Sequence, residues 1–196
     1  MRQKIVAGLT GGIAGGKSTA AQMFREAGAY TIDTDSVSRS VSQSGEGYER
    51  LLRAFPQAFD GGVLNRAALR EIVFADESKR QTLNAVLHPL ILDETRRLAQ
   101  KAAADVVVVE APLLFEAGFD AYTTPNITVS CPESERIKRL TARDTISVDL
   151  AKRMLAAQLS DAEREARADI VIMNDGTVAQ LRAQVLRIYH EWTQKK

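Results

Sequence analysis

The chain has 196 residues, 45% of them hydrophobic and 26% charged, and a formal net charge of +1. That is enough for one well-cored domain carrying a sizeable insertion and too little for two independent domains. The near-neutral balance leaves no global electrostatic footprint for nucleic acid, and no apolar run approaches the roughly 20 residues of a membrane-spanning helix.

The single cysteine, Cys131, and two histidines exclude an internal disulfide and the usual zinc ligand sets. With no cleavage-type leader, the expected location is the cytoplasm.

In chain order, Ile5 to Thr10 is a short apolar run ending in glycines, the signature of a buried parallel strand. A helix is predicted over 17–27, stopped by Gly28. A second strand, 30–32, then delivers Asp33 and Asp35 at its carboxyl end. From 36 to 101 the pattern is almost wholly helical, with its clearest turn at Phe59-Asp60-Gly61-Gly62-Val63, where adjacent glycines permit unusual backbone angles. Val106 to Glu110 is so β-branched and apolar that it predicts a central strand buried on both faces.

Residues 127–130 and 169–173 complete five strands, interleaved with charged helices near 133–143 and 147–157. A last helix begins near Val178, with Leu181, Val185, Ile188 and Trp192 at core-packing spacing. Alternating strands and helices imply an α/β fold, a five-stranded parallel sheet with helices on both faces and ligands at the carboxyl ends of its strands. The expected division is a core of about 1–35, 104–132 and 168–196, an inserted helical region of about 36–103, and a helical lid of about 133–167.

Gly11-Gly12-Ile13-Ala14-Gly15-Gly16-Lys17-Ser18 fits G-x-x-x-x-G-K-[ST] at every fixed position, between a predicted strand and a predicted helix. This is a P-loop. Glycines let successive backbone N–H groups turn inward onto phosphates, and the helix adds its positive end. Lys17 is expected to reach the β- and γ-phosphates, and the Ser18 hydroxyl to coordinate Mg²⁺.

No Asp-x-x-Gly and no Asn-Lys-x-Asp occurs, which argues against a switch GTPase. Asp33-Thr34-Asp35 sits near the same sheet edge as the cradle. One carboxylate there could accept the proton of an acceptor hydroxyl, although Asp35 also reads as the N-cap of the next helix. Glu110, closing the central strand, reads either as part of a magnesium shell or as a turn residue. Arg136, Arg139 and Arg143 recur at i, i+3 and i+7, so they form either a solvated face or a basic lid over ATP, with Arg143 foremost.

These residues together resemble the dephospho-CoA kinase family nearly end to end. The resemblance rests on Leu9-Thr10-Gly11-Gly12-Ile13 with Gly16-Lys17-Ser18-Thr19, on Ile32-Asp33-Thr34-Asp35, on Leu87-His88-Pro89-Leu90-Ile91, on Pro112-Leu113-Leu114-Phe115-Glu116, and on Asn174-Asp175-Gly176. It implies transfer of the γ-phosphate of ATP to the ribose 3′-hydroxyl of dephospho-CoA, with Mg²⁺ as cofactor. It implies Asp35 as general base, Lys17 as phosphate clamp and Arg143 as a lid residue. ATP would lie on Gly11, Gly12, Ile13, Ala14, Gly15, Gly16, Lys17, Ser18 and Thr19, with Asn174 near the adenine.

The acceptor side would comprise Asp33, Asp35, His88, Leu114 and Glu116. No nucleic acid or membrane partner is implied, and the chain is expected to be a monomer or weak homo-oligomer. Another nucleoside or nucleotide kinase, or a nucleotide-dependent switch ATPase, are the alternative readings. The chain departs from the family's usual pattern at Ala14-Gly15, where Gly-Ser is commoner, and at Glu110, where aspartate is frequent.

Overall fold

The computed structural model describes residues 4–194. They fall into two compact units, one made of the residues up to 32 with those from 102 onward, the other of 33–101.

In the first unit the predicted opening strand is β1 (Ile5–Gly11), followed by α1 (Lys17–Ala27) and β2 (Tyr30–Asp33), whose last residue begins the other unit. With β5 (Val106–Glu110), β6 (Asn126–Ser130) and β7 (Ile170–Met173) these make a five-stranded sheet of order β2-β5-β1-β6-β7. β1 pairs in parallel with β5 on one side and β6 on the other, and β6 pairs in parallel with β7. The loop after β1 therefore leaves from the middle of the sheet, at the point where strand order changes direction, which is where open parallel sheets bind their ligands.

Every residue of β5 is buried, as its Val-Val-Val-Val-Glu sequence requires of a strand covered on both faces. One face carries α1 and α9 (Val178–Gln194). Leu9, Val106, Val108, Ile127, Val129 and Ile172 of the strands pack there with Phe24 of α1 and Leu181, Val185 and Ile188 of α9. Phe24 is fully buried and stacks on Trp192 with ring centroids 5.7 Å apart.

α1 ends in a Schellman arrangement, in which Gly28 N–H donates to Arg25 O and Ala29 N–H to Phe24 O, each at 3.0 Å. On the opposite face the side chain of Leu114 lies against Gly8, where a Cβ would come within 2.8 Å of it. α6 (Glu133–Asp144), α7 (Val148–Ala156) and α8 (Asp161–Arg167) also belong to this unit. α8 was not anticipated as a separate helix, although Ser160 and Glu163 form a full capping box at its start.

The second unit holds α2 (Thr34–Val41), α3 (Gly45–Ala54), α4 (Arg66–Ala75) and the 25-residue α5 (Glu77–Lys101), against which the other three pack. Leu87, Ile91, Thr95 and Ala99 are the buried residues of α5, spaced every four residues along one stripe. The predicted glycine turn is a hairpin, β3 (Phe59–Asp60) with β4 (Val63–Leu64), and both central residues, Gly61 and Gly62, have positive φ. Among the described residues no helix is long and apolar enough to cross a membrane.

Phe24→Ala should lower the unfolding free energy by about 3–5 kcal/mol, because it opens a cavity between α1, α9 and the sheet. Urea denaturation followed by the fluorescence of Trp192, the only tryptophan, reads this directly, and a loss below about 1 kcal/mol would contradict the packing described.

Candidate phosphate-binding site

Between β1 and α1 the chain turns over Gly12 to Gly16. Gly15 N–H donates to Gly12 O at 2.9 Å, closing the turn. Ala14 has φ of 59° and Gly16 φ of 98°, both in the left-handed region. At Gly16 no side chain is possible for a second reason, since a Cβ would lie 2.1 Å from the amide nitrogen of Asn174.

Asn174 is buried at the end of β7, its own N–H donates to Ser130 O at 2.7 Å, and its Nδ2 donates to Gly15 O at 2.9 Å. The structure thus places this residue, expected near the adenine, as a brace on the loop. On the other side of the turn, Ile13 N–H donates to the side-chain oxygen of Gln158 at 2.9 Å, and Ile13 O accepts from Arg136 Nε at 3.0 Å.

The first turn of α1 brings Lys17 and Ser18 onto one carboxylate. Glu110 Oε1 accepts from Lys17 Nζ at 2.6 Å and from Ser18 Oγ at 2.7 Å. The Lys17 and Glu110 side chains are only 13% and 10% exposed, so this ion pair holds its geometry far better than a surface pair would. Of the two readings of Glu110, the turn residue gives way to a carboxylate aimed at the cradle. Hydroxyl and carboxylate oxygens side by side are a hard donor set that suits Mg²⁺, which typically takes one or two protein oxygens and completes its shell with phosphate and water. Among the described residues there is no group of three or more His, Cys, Asp or Glu able to hold a metal.

The three arginines of the expected lid face separate. Arg136 is buried against the loop, and Arg139 Nη2 donates to Asn174 O at 3.2 Å. Arg143 is exposed and makes a two-point contact with Asp144, at 2.7 and 2.8 Å. The Pro112 to Glu116 stretch lies in the same unit. Leu114 is fully buried, Glu116 is exposed, and Phe115 lies beneath Arg167, whose guanidinium carbon is 4.5 Å from the ring centroid. Cys131 is buried, and burial pushes its thiol up and away from reactivity.

In the second unit Asp33, not Asp35, is the N-cap of α2. Its carboxylate accepts from Asp35 N–H at 3.0 Å and from Ser36 Oγ at 2.5 Å. Asp35 stands exposed in the first helical turn, beyond the cap position that the sequence alone could equally have assigned to it. His88 lies inside α5, half-buried and immediately before Pro89, and burial pushes its imidazole below its ordinary value. The residues that sequence reasoning missed are Gln158, Asp161 and Arg164. They lie more than 140 positions from the loop they brace, and only the fold brings them to it.

Comparison with known proteins gives one consistent result. The family model described as dephospho-CoA kinase matches residues 5–180. A dephospho-CoA kinase of Chromobacterium violaceum is 42% identical over 186 residues, covering 92% of this chain and 90% of that one. One from Shewanella oneidensis is 37% identical over 194 residues, covering 97% and 95%.

Among solved structures, TT1252 from Thermus thermophilus superposes with a TM-score of 0.84 at 32% identity, covering 96% of this chain and 98% of that one. Dephospho-CoA kinase from Campylobacter jejuni does so at 0.72 and 26%, covering 96% and 97%. Shikimate kinase from Acinetobacter baumannii, at 14% identity and a TM-score of 0.59 over 100% and 96%, shares the fold.

Two outcomes follow from this geometry. Gly16→Ala should abolish measurable ATP binding in calorimetry, because the added carbon meets the Asn174 brace and sits at positive φ; unchanged binding would mean the loop is not held as described. His88 binds its proton more weakly folded than unfolded, so between its depressed folded value and about 6.5 the unfolded chain holds more protons. Stability should therefore fall as pH drops through that window, and His88→Gln should flatten the slope in denaturation curves.

Proposed function

The chain belongs to the dephospho-CoA kinase family, and from that membership we propose that it moves the γ-phosphate of ATP onto the ribose 3′-hydroxyl of dephospho-CoA, giving coenzyme A and ADP. The observation that carries this reading is the cradle, in which one buried carboxylate pre-aims both the lysine and the hydroxyl that phosphate chemistry requires. The loop and helix start from Gly11 to Thr19 receive the phosphate chain, and Lys17 neutralises the charge that builds on the β- and γ-phosphates. Ser18, with Glu110 directly or through water, would hold Mg²⁺; that ion, when bound, shields phosphate charge.

Asp35 accepts the proton of the 3′-hydroxyl as its oxygen bonds to the γ-phosphorus and the bond to the bridging oxygen of ADP breaks. The exposed position of Asp35, with capping left to Asp33, supports this assignment. Arg143, exposed on α6, is the arginine able to reach transferring phosphate, whereas Arg136 and Arg139 are committed to the loop and its brace. His88 and Glu116 belong to the acceptor side. Leu114 supports that side from within the core. We assign the protein to the cytoplasm, as a monomer or weak homo-oligomer acting on small molecules.

The reading is tested by measuring ADP release from ATP and Mg²⁺ with and without dephospho-CoA, with mass detection of the product. A gain of one phosphate on that acceptor for each ADP is expected, and ADP release indifferent to the acceptor would overturn it. Asp35→Asn should leave ATP affinity within about twofold while lowering kcat by about 10²- to 10⁴-fold, the range of general-base removal. Lys17→Ala should damage ATP affinity and turnover together. Near-normal turnover in the Asp35 variant would remove it as the base.

A further inference from the structure

Arg136 approaches the phosphate loop from α6 with only 4% of its surface exposed. Its Nε donates to Ile13 O and its Nη1 to one oxygen of Asp161, at 3.0 and 2.5 Å. Arg164, 2% exposed, donates to the other oxygen of the same carboxylate at 2.7 Å. Both guanidinium groups lie against Gly12, where a Cβ would stand 2.3 Å from Arg136 Nη2 and 2.6 Å from Arg164 Nη2. Each arginine keeps one buried nitrogen without a hydrogen-bond partner, Nη2 of Arg136 and Nε of Arg164.

Two buried guanidinium charges thus share one carboxylate, itself 26% exposed, so within this triad one positive charge is left over. A buried excess of charge and unsatisfied donors is costly, and such a cost persists where something else compensates it. The loop against which this charge lies is the one built to receive a polyanion. On that side Gln158 accepts from Ile13 N–H, so Ile13 is held by both of its backbone polar groups.

We propose that Arg136, Arg164 and Gln158, with Asp161 as the bracket between the arginines, are positioning residues for the phosphates of ATP. Arg136 and Gln158 hold Ile13 by its carbonyl and its N–H, and the two arginines keep the excess positive charge beside the loop, where the phosphate chain compensates it. Arg136 is then part of the loop's wall, not of a moving lid. The inference rests on the reading that ATP binds in this cradle.

Binding of ATP, ADP and AMP to the full-length protein, compared between the unsubstituted chain and Arg136→Gln, tests it. The loss of affinity should grow with the number of phosphates, reaching about tenfold or more for ATP and vanishing for AMP, as expected when a charged hydrogen-bonding group is lost. Should Arg136→Gln fail to fold, Gln158→Leu, at a half-buried uncharged position, carries the same test with the same graded outcome. Equal weakening of all three nucleotides, or unchanged ATP affinity, overturns the proposal. Failure of the unsubstituted chain to phosphorylate dephospho-CoA would instead overturn the functional reading and leave the graded ATP affinity to be judged by itself.

Discussion

Glu110 Oε1 accepts hydrogen bonds from Lys17 Nζ at 2.6 Å and Ser18 Oγ at 2.7 Å, and the rest of the phosphate site is arranged around that shared oxygen. The carboxylate stands at the carboxyl end of β5, a strand buried at every residue, directly beside β1. Its position is therefore fixed by the sheet register, where Leu9 pairs with Glu110. Lys17 and Ser18 are the first two residues of α1, so their aim is fixed in turn by how that helix packs. Burying Phe24 and stacking it on Trp192 is consequently more than core-filling. It sets the azimuth of α1, and with it the direction in which an ammonium group and a hydroxyl point.

The loop is held by hydrogen bonds supplied by remote parts of the first unit. Asn174 at the end of β7 holds Gly15 O, Arg136 of α6 holds Ile13 O, and Gln158, between α7 and α8, holds Ile13 N–H. Three separate stretches of chain thus converge on two residues, Ile13 and Gly15. Pre-forming the loop in this way removes the entropy that a mobile glycine-rich segment would lose on binding phosphate.

What the sequence made legible follows the range of each interaction. The α1 boundaries, the Gly28 stop, the five strands and the cradle were all read correctly because each depends on residues within a few positions. The Asp33/Asp35 ambiguity was local too, since either aspartate could cap a helix beginning just after it, and because α2 begins at Thr34 the cap falls to Asp33. The arginines on α6 misled for a different reason. Spacing of i, i+3, i+7 tells that side chains share a helix face but not what that face meets. Arg136 meets the loop and Asp161, Arg139 meets Asn174 O, and only Arg143 remains exposed. The bracing residues Gln158, Asp161 and Arg164 carry no motif at all, because a hydrogen bond spanning about 150 positions leaves no periodicity to detect.

The departure at Ala14, where glycine is commoner in this family, can be understood in the same terms. With φ of 59° this alanine occupies the left-handed region, at a cost of roughly 1–2 kcal/mol for a residue bearing a Cβ. A conformation of that kind persists only when its surroundings over-determine it. Here they do, since Ile13 before it is held by both its N–H and its carbonyl, while Gly15 after it is held by its N–H to Gly12 O and its carbonyl to Asn174. The peptides on either side of Ala14 are tied through the Ile13 carbonyl and the Gly15 N–H, and those bonds hold its left-handed conformation in place. The bracing that shapes the cradle for phosphate is therefore also what allows this chain to carry a side chain where a glycine would be easier.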